Sequence, residues 1–235
     1  MTLALLETLI ILSGVGKAPA HLGPVLDRVA AEVGADARFG DTLARAIDER
    51  LSLPAGDPIA ARDVAVMREA TDSVFRVYAA GDWAPAAETL ERLRARIDAS
   101  PSSLSADVSL RESLYDIRIM LGECYRRLSR DAEANALMAE AIRSDAKREP
   151  STLRFSPDVL DFFKKVKRDL DAQPRGTLEI TSEPAGVSVF VGGEFSGQTP
   201  VKLGDLYPGR YRVLVGTGAT TSRAHDVTVQ GDERL

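Results

Sequence analysis

The apolar residues of this chain change their spacing once, on either side of Pro174, and no single type of secondary structure satisfies both spacings. Before it they recur every three or four positions, as in Leu43, Ile47 and Leu51, or Val159, Leu160, Phe163, Val166 and Leu170. That spacing gathers them on one face of a helix. From Thr177 they alternate instead: Leu178 and Ile180, then Val187, Val189 and Val191, then Tyr211, Val213 and Val215, then Val227 and Val229. Alternation puts every second side chain on one side of a strand. Turn formers separate these runs, among them Pro184-Ala185-Gly186, Gly192-Gly193 and Pro208-Gly209. The expected architecture has two domains, an all-α domain of helical hairpins and a small all-β antiparallel sandwich. Gly192-Gly193 is expected to form a tight hairpin turn with positive φ.

The linkers fall at Pro54–Pro58 and Asp171–Gly176, which divides the chain into residues 1–20, 21–58, 59–172 and 176–235. Residues 2–16 are apolar apart from Glu7 and run into Ala18-Pro19-Ala20. This pattern fits either a signal peptide cut after Ala20 or an ordinary first helix. It is shorter than the roughly 20 residues a membrane span needs, so no span is expected. Two short helices follow within residues 24–51, split by Gly34 and Gly40. The chain stops at Leu235, soon after Val229, where one more strand is expected.

Composition narrows the chemistry. Thirty basic against thirty-five acidic residues give a net charge of -5, so no nucleic-acid partner is expected. A single cysteine excludes an internal disulfide and a multi-thiolate zinc site. The two histidines, His21 and His225, are far apart, and His225 and Asp226 on one strand face opposite sides. Gly14-x-Gly16-Lys17 lacks the phosphate loop's first glycine, where Ile11 stands, and its hydroxyl, where Ala18 stands. Cys124 reads as a small buried apolar residue. No metal, cofactor or catalytic group is expected, and the chain does not read as an enzyme.

The middle of the chain contains an internal echo. Gly81-Asp82-Trp83 opens a helix continuing through Ala86, Leu90 and Leu93; Ser129-Arg130-Asp131 opens another through Ala134, Met138 and Ala141. Leu121, Gly122 and Tyr125 precede the second copy, and Val74 and Val77 precede the first. These positions resemble those of the tetratricopeptide repeat (TPR), a helix–turn–helix unit of roughly 34 residues. Gly122, Tyr125 and Ala134 match its signature small and bulky positions, with Gly122 and Ala134 at the closest crossing of the pair. The copies lie further apart than one unit, and the excess falls in Ala99–Ser109, which reads as an inserted loop. Ser156-Pro157-Asp158 starts a further helix expected to cap the stack.

The resemblance implies a partner groove along the first helix of each pair. Residue by residue it consists of Arg68, Thr71, Phe75 and Tyr78 in the first copy and Asp116, Ile119, Glu123 and Arg126 in the second. Two arginines beside an aromatic pair suit a peptide carboxylate and an apolar side chain. The competing reading packs Phe75 in the core and pairs the charges along their own helices.

Past Pro174, Ser182-x-Pro184-x-Gly186-x-x-Val189, Val191-x-Gly193, Gly197-x-Thr199-Pro200 and Leu203…Pro208-Gly209 resemble the PEGA domain of bacterial envelope and signalling proteins. Pro184, Gly186, Gly193, Pro200 and Gly209 match its turn formers, while Ala185 and Val187 replace the Glu and Ala of the naming tetrad. The resemblance implies a binding or spacer module without catalytic residues. Together the two likenesses imply a non-enzymatic protein–protein interaction scaffold or adaptor of the bacterial cell envelope. Its partners would be other envelope proteins or wall material. The location would be periplasmic if residues 1–20 are a signal peptide and cytoplasmic otherwise. The alternative is an intracellular regulatory or sensing region of a larger signalling protein.

Overall fold

The computed structural model of the chain describes residues 59–217, 220–221 and 224–231. The signal-peptide or first-helix stretch, the helices within 21–58 and any strand after Gly231 lie outside the described residues.

Six helices occupy the first part: α1 (Ala61–Ala79), α2 (Trp83–Asp98), α3 (Pro101–Ala106), α4 (Val108–Arg127), α5 (Asp131–Ser144) and α6 (Pro157–Asp171). Short turns join α1 to α2 and α4 to α5, and the members of each pair pack on one another. Helix α4 is the centre, touching α1, α2, α3 and α5. Every residue from Ile119 to Tyr125 in it is buried, so its apolar period is blurred in the sequence. Leu90, Leu93 and Ile97 of α2, Ile117 and Leu121 of α4, and Met138 and Ile142 of α5 are fully enclosed. Each such side chain contributes roughly 1.5–3 kcal/mol on leaving water.

Gly122 sits at a close helix contact, where the repeat resemblance implies a crossing. A Cβ there would lie 3.4 Å from the Ala134 carbonyl oxygen and 3.6 Å from Met138 Cε. The stretch Ala99–Ser109 is not the loop expected of it. Pro101 opens the short helix α3, and Asp107 accepts from the Ser109 amide at 2.8 Å to start α4. A proline at the first turn and an aspartate cap outweigh the serine-rich look of the segment. Helix α6 begins at Pro157 as expected, but Ser156 makes no side-chain cap bond. Its buried face holds Phe162 with Phe163, whereas Leu160 is only half-buried.

The second part is antiparallel and contains two sheets. Strands β1 (Gly176–Ile180) and β4 (Val201–Leu206) form one. The other runs β3 (Glu194–Gln198), β2 (Ser188–Val191), β5 (Gly209–Thr217), with β6 (Thr220–Thr221) and β7 (His225–Val229) both on the far side of β5. Val189 faces Val215 and Val191 faces Val213 across the β2–β5 pair, while Tyr211 faces Val227 across β5–β7. Gly192 and Gly193 turn the β2–β3 hairpin at φ +61 and +90, conformations a β-branched residue avoids.

Few side chains are buried here, and turn chemistry does more of the holding. Buried Thr199 accepts from the Val187 amide at 3.1 Å through its hydroxyl, and its backbone bonds Gly186 and Val187. Ser182 hydrogen-bonds the same hydroxyl and donates to the Pro184 carbonyl at 2.7 Å. The Ser182, Pro184, Gly186 and Thr199 positions of the sequence motif thus form one clamp.

The described residues of both parts belong to one compact unit. Tyr207 donates to Asp171 of α6 at 2.6 Å beneath the Arg175 guanidinium, 3.3 Å from the ring centroid. Arg212 donates to the Asp98 carbonyl at the end of α2, and Gly193 approaches Leu104 of α3 closely enough that a Cβ would stand 2.8 Å from its Cβ. Arg210, Arg212 and Leu214 share one face of β5. Through Arg212 that face meets the helices, and Leu214 is buried on it.

Candidate interaction site

Helices α1 and α4 pack side by side and carry all eight positions of the expected groove. Their fates differ. Thr71 is buried and donates back to the Met67 carbonyl at 2.8 Å, which satisfies its hydroxyl within its own helix. Ile119 is fully enclosed and Tyr78 is buried. These three are part of the packing.

Phe75 and Tyr78 do meet, with ring centroids 5.8 Å apart, and Tyr78 continues edge-on to Trp83 at 5.5 Å. The cation above Phe75 is Arg154, 4.6 Å from its centroid, and Arg154 belongs to the connection between α5 and α6. Arg154 also pairs with Asp72 at 3.2 Å and with Asp116 at 3.6 Å. Asp116 is further bracketed by Arg148 at 3.9 Å. Burial pushes the Asp116 carboxyl above its ordinary range, against the pull of Arg154 and Arg148. The charges at this end of the groove are therefore neutralised from within the chain.

Glu123 is 1% exposed and receives Arg126 at 2.7 and 2.8 Å and Arg127 at 2.7 Å. A buried carboxylate with two cations is a satisfied group whose loss of either partner is costly. Arg126 lies over the Phe162 ring of α6 at 5.5 Å and Arg127 over Trp83 at 5.6 Å. Arg68 alone of the eight is well exposed, on the outer side of α1. Arg148, Arg154 and Phe162 were not among the positions expected from the repeat pattern, because they lie after the second copy. Beside Arg154, Leu153 is 99% exposed.

Cys124 is buried, and burial followed by the neighbouring Glu123 pushes its thiol up to about 12. A thiol so held is not a nucleophile near neutral pH. Asp226 is not coupled to His225 but to Arg212 and Arg210, whose hydrogen bonds hold its carboxyl below the usual range. Among the described residues no group of three His, Cys, Asp or Glu side chains is placed to hold a metal ion. Among them, too, no helix is long and apolar enough to cross a membrane.

A family model for the PEGA domain matches residues 175–234. No curated protein and no solved structure matches the chain significantly. The described residues thus consist of a helical region followed by a β region that matches the PEGA domain, with the junction at Arg175.

Proposed function

We propose that the chain is a non-enzymatic protein–protein interaction scaffold of the bacterial cell envelope, a degenerate TPR-like helical region carrying a PEGA adaptor. The observation that carries this reading is the join itself: two packed helix pairs with a closing helix run directly into a PEGA-matched β region. A PEGA module is compatible with a binding role that needs no catalytic group. The partner surface is the outer part of the α1–α4 face, with exposed Arg68 and half-buried Phe75, together with exposed Leu153 next to the Arg154 that covers Phe75. Arg126 serves the buried Glu123 first and is a poorer anchor than its exposure suggests.

Immobilised full chain should retain a discrete partner from native envelope extract. Arg68→Glu with Leu153→Glu should abolish that retention at an unchanged melting temperature, since both positions are exposed. Phe195→Ser, on the sheet edge, should leave it intact. Loss with Phe195→Ser alone would move the partner site to the β region, and no retention by the wild type would remove the reading. Detection of cleavage after Ala20 in exported protein separates an envelope protein from the alternative, an intracellular regulatory region of a signalling protein.

A further inference from the structure

Away from that face, where α2, α4 and α5 meet β5 and β7, lies a cavity of about 160 Å³. Its helical wall carries Arg94, Arg118 and Arg143 with Asp98 and Glu140; its sheet wall carries Arg210 and Arg212 with Asp226. Each carboxylate is already engaged. Arg94 reaches Glu140 at 2.8 Å and Asp98 at 3.3 Å, and Arg118 reaches Asp98 at 3.4 Å and Glu140 at 3.7 Å. Asp226 holds Arg210 at 2.6 Å and Arg212 at 3.2 Å. Five guanidinium groups thus face three carboxylates across one cavity, an excess of two positive charges.

Arg143 is where the excess concentrates. Among the described residues it forms no ion pair, and its Nε is buried without an acceptor. Gly209 presses the sheet backbone against it, since a Cβ there would stand 2.8 Å from Arg143 Cζ. Burial lowers its pKa, with Glu140 opposing. A guanidinium does not give up its proton in a protein, so its burial is a standing cost that a bound anion would offset. The Nε groups of Arg94 and Arg118 pair with Asp98 and Glu140 only at 3.3 and 3.7 Å, without a well-aligned hydrogen bond.

We propose that this cavity binds a phosphate-type dianion, with Arg143 as its principal donor. A phosphate monoester carries roughly −1.5 to −2 charges near neutral pH, which matches the uncompensated charge. Its oxygens accept the paired donors of guanidinium forks, and the volume admits one such group with a few waters at about 30 Å³ each. The site lies between the helical and β regions, so occupancy would tie them together.

The test is calorimetric titration of the full chain with inorganic phosphate at low salt, with acetate as a monoanion control. Saturable binding of phosphate is expected, with acetate about tenfold weaker or more. Arg143→Met should lose about tenfold or more in phosphate affinity while the phosphate-free protein melts no lower, because a half-buried charge without an ion-pair partner among the described residues has been removed. Arg210→Gln, at an exposed position that spares folding, should weaken phosphate severalfold, and Arg68→Gln on the outer side of α1 should not change it. Glycerol phosphate and vesicles containing phosphatidic acid distinguish a free ester from a lipid headgroup as the source; binding of either supports the site. No saturable phosphate binding, equal affinity for acetate, or undiminished binding by both Arg143→Met and Arg210→Gln would overturn the proposal.

Discussion

The helical and β regions are stabilised by different means. In the helices the work is done by enclosed aliphatic volume: α4 is buried on every side from Ile119 to Tyr125, and its neighbours supply leucine, isoleucine and methionine with no exposure at all. In the sheets the enclosed side chains are few, chiefly Val189, Tyr207, Tyr211, Val213, Leu214 and Val229. Stability there comes from backbone approaches, from the Thr199 clamp and from groups that reach across to the helices. A Cβ at Gly176 would collide with the Gln230 carbonyl and one at Gly231 with the Pro174 carbonyl, so the sheet closes on its own backbone. The contrast predicts that the helical part can stand on its core, whereas the β part depends on the helices beside it.

Substitutions that remove volume should separate the two. Leu93→Ala, at a fully enclosed site in α2, should cost about 3 kcal/mol in denaturant unfolding, since the rigid surroundings leave a cavity. Equal stability of this variant and the wild type would mean the helical core is loosely packed. Overpacking is the next largest effect. Gly122→Leu should cost roughly 1–3 kcal/mol, because only the Cβ fits against Ala134 and Met138, and Gly122→Ala should be nearly neutral. A tolerated leucine would displace the α4–α5 crossing from Gly122.

In the sheets a polar deletion should matter more than a volume change. Thr199→Val conserves shape but leaves the Val187 amide without its side-chain acceptor, at about 1–2 kcal/mol by thermal melting. A silent Thr199→Val would show that the clamp is ornamental. The smallest effect is at Asp226. Its folded pKa is depressed by Arg212 and Arg210, so its contribution is present above the ordinary aspartate pKa and fades as pH falls through the lower folded value. The pair is partly exposed, so Asp226→Asn should cost less than about 1 kcal/mol at neutral pH and nothing in strong acid. A cost that persists undiminished in acid would assign it to packing.

How much of this was legible in the sequence also differs by region. Turn residues act locally, so Gly192-Gly193 was readable as a tight turn from the residues themselves, and the Ser182–Thr199 positions from the resemblance to the PEGA domain. The helix contact at Gly122 and Ala134 was legible through the repeat resemblance, which puts small residues where two helices cross. What escaped were long-range encounters of polar residues. Nothing local marks Arg154 as the cation over Phe75, or Arg212 as a donor to Asp98, because such partners are brought close only by the fold. The groove positions Thr71, Tyr78 and Ile119 became interior for the same reason: the repeat pattern gives their helix face but not what covers it.

Hydrogen exchange of the full chain in increasing denaturant, followed by peptide mass, tests most directly whether the β region depends on the helical one. Amides of β5 should open no later than those of α4 under every condition, and Arg212→Gln, which breaks the contact with Asp98, should speed exchange in β5 while leaving α4 unchanged. The single tryptophan, Trp83, lies at the start of α2 and should report helical unfolding by fluorescence at or after the loss of β5 protection. Persistent protection of β5 after α4 has opened would contradict the dependence and establish the sheets as an independently stable module.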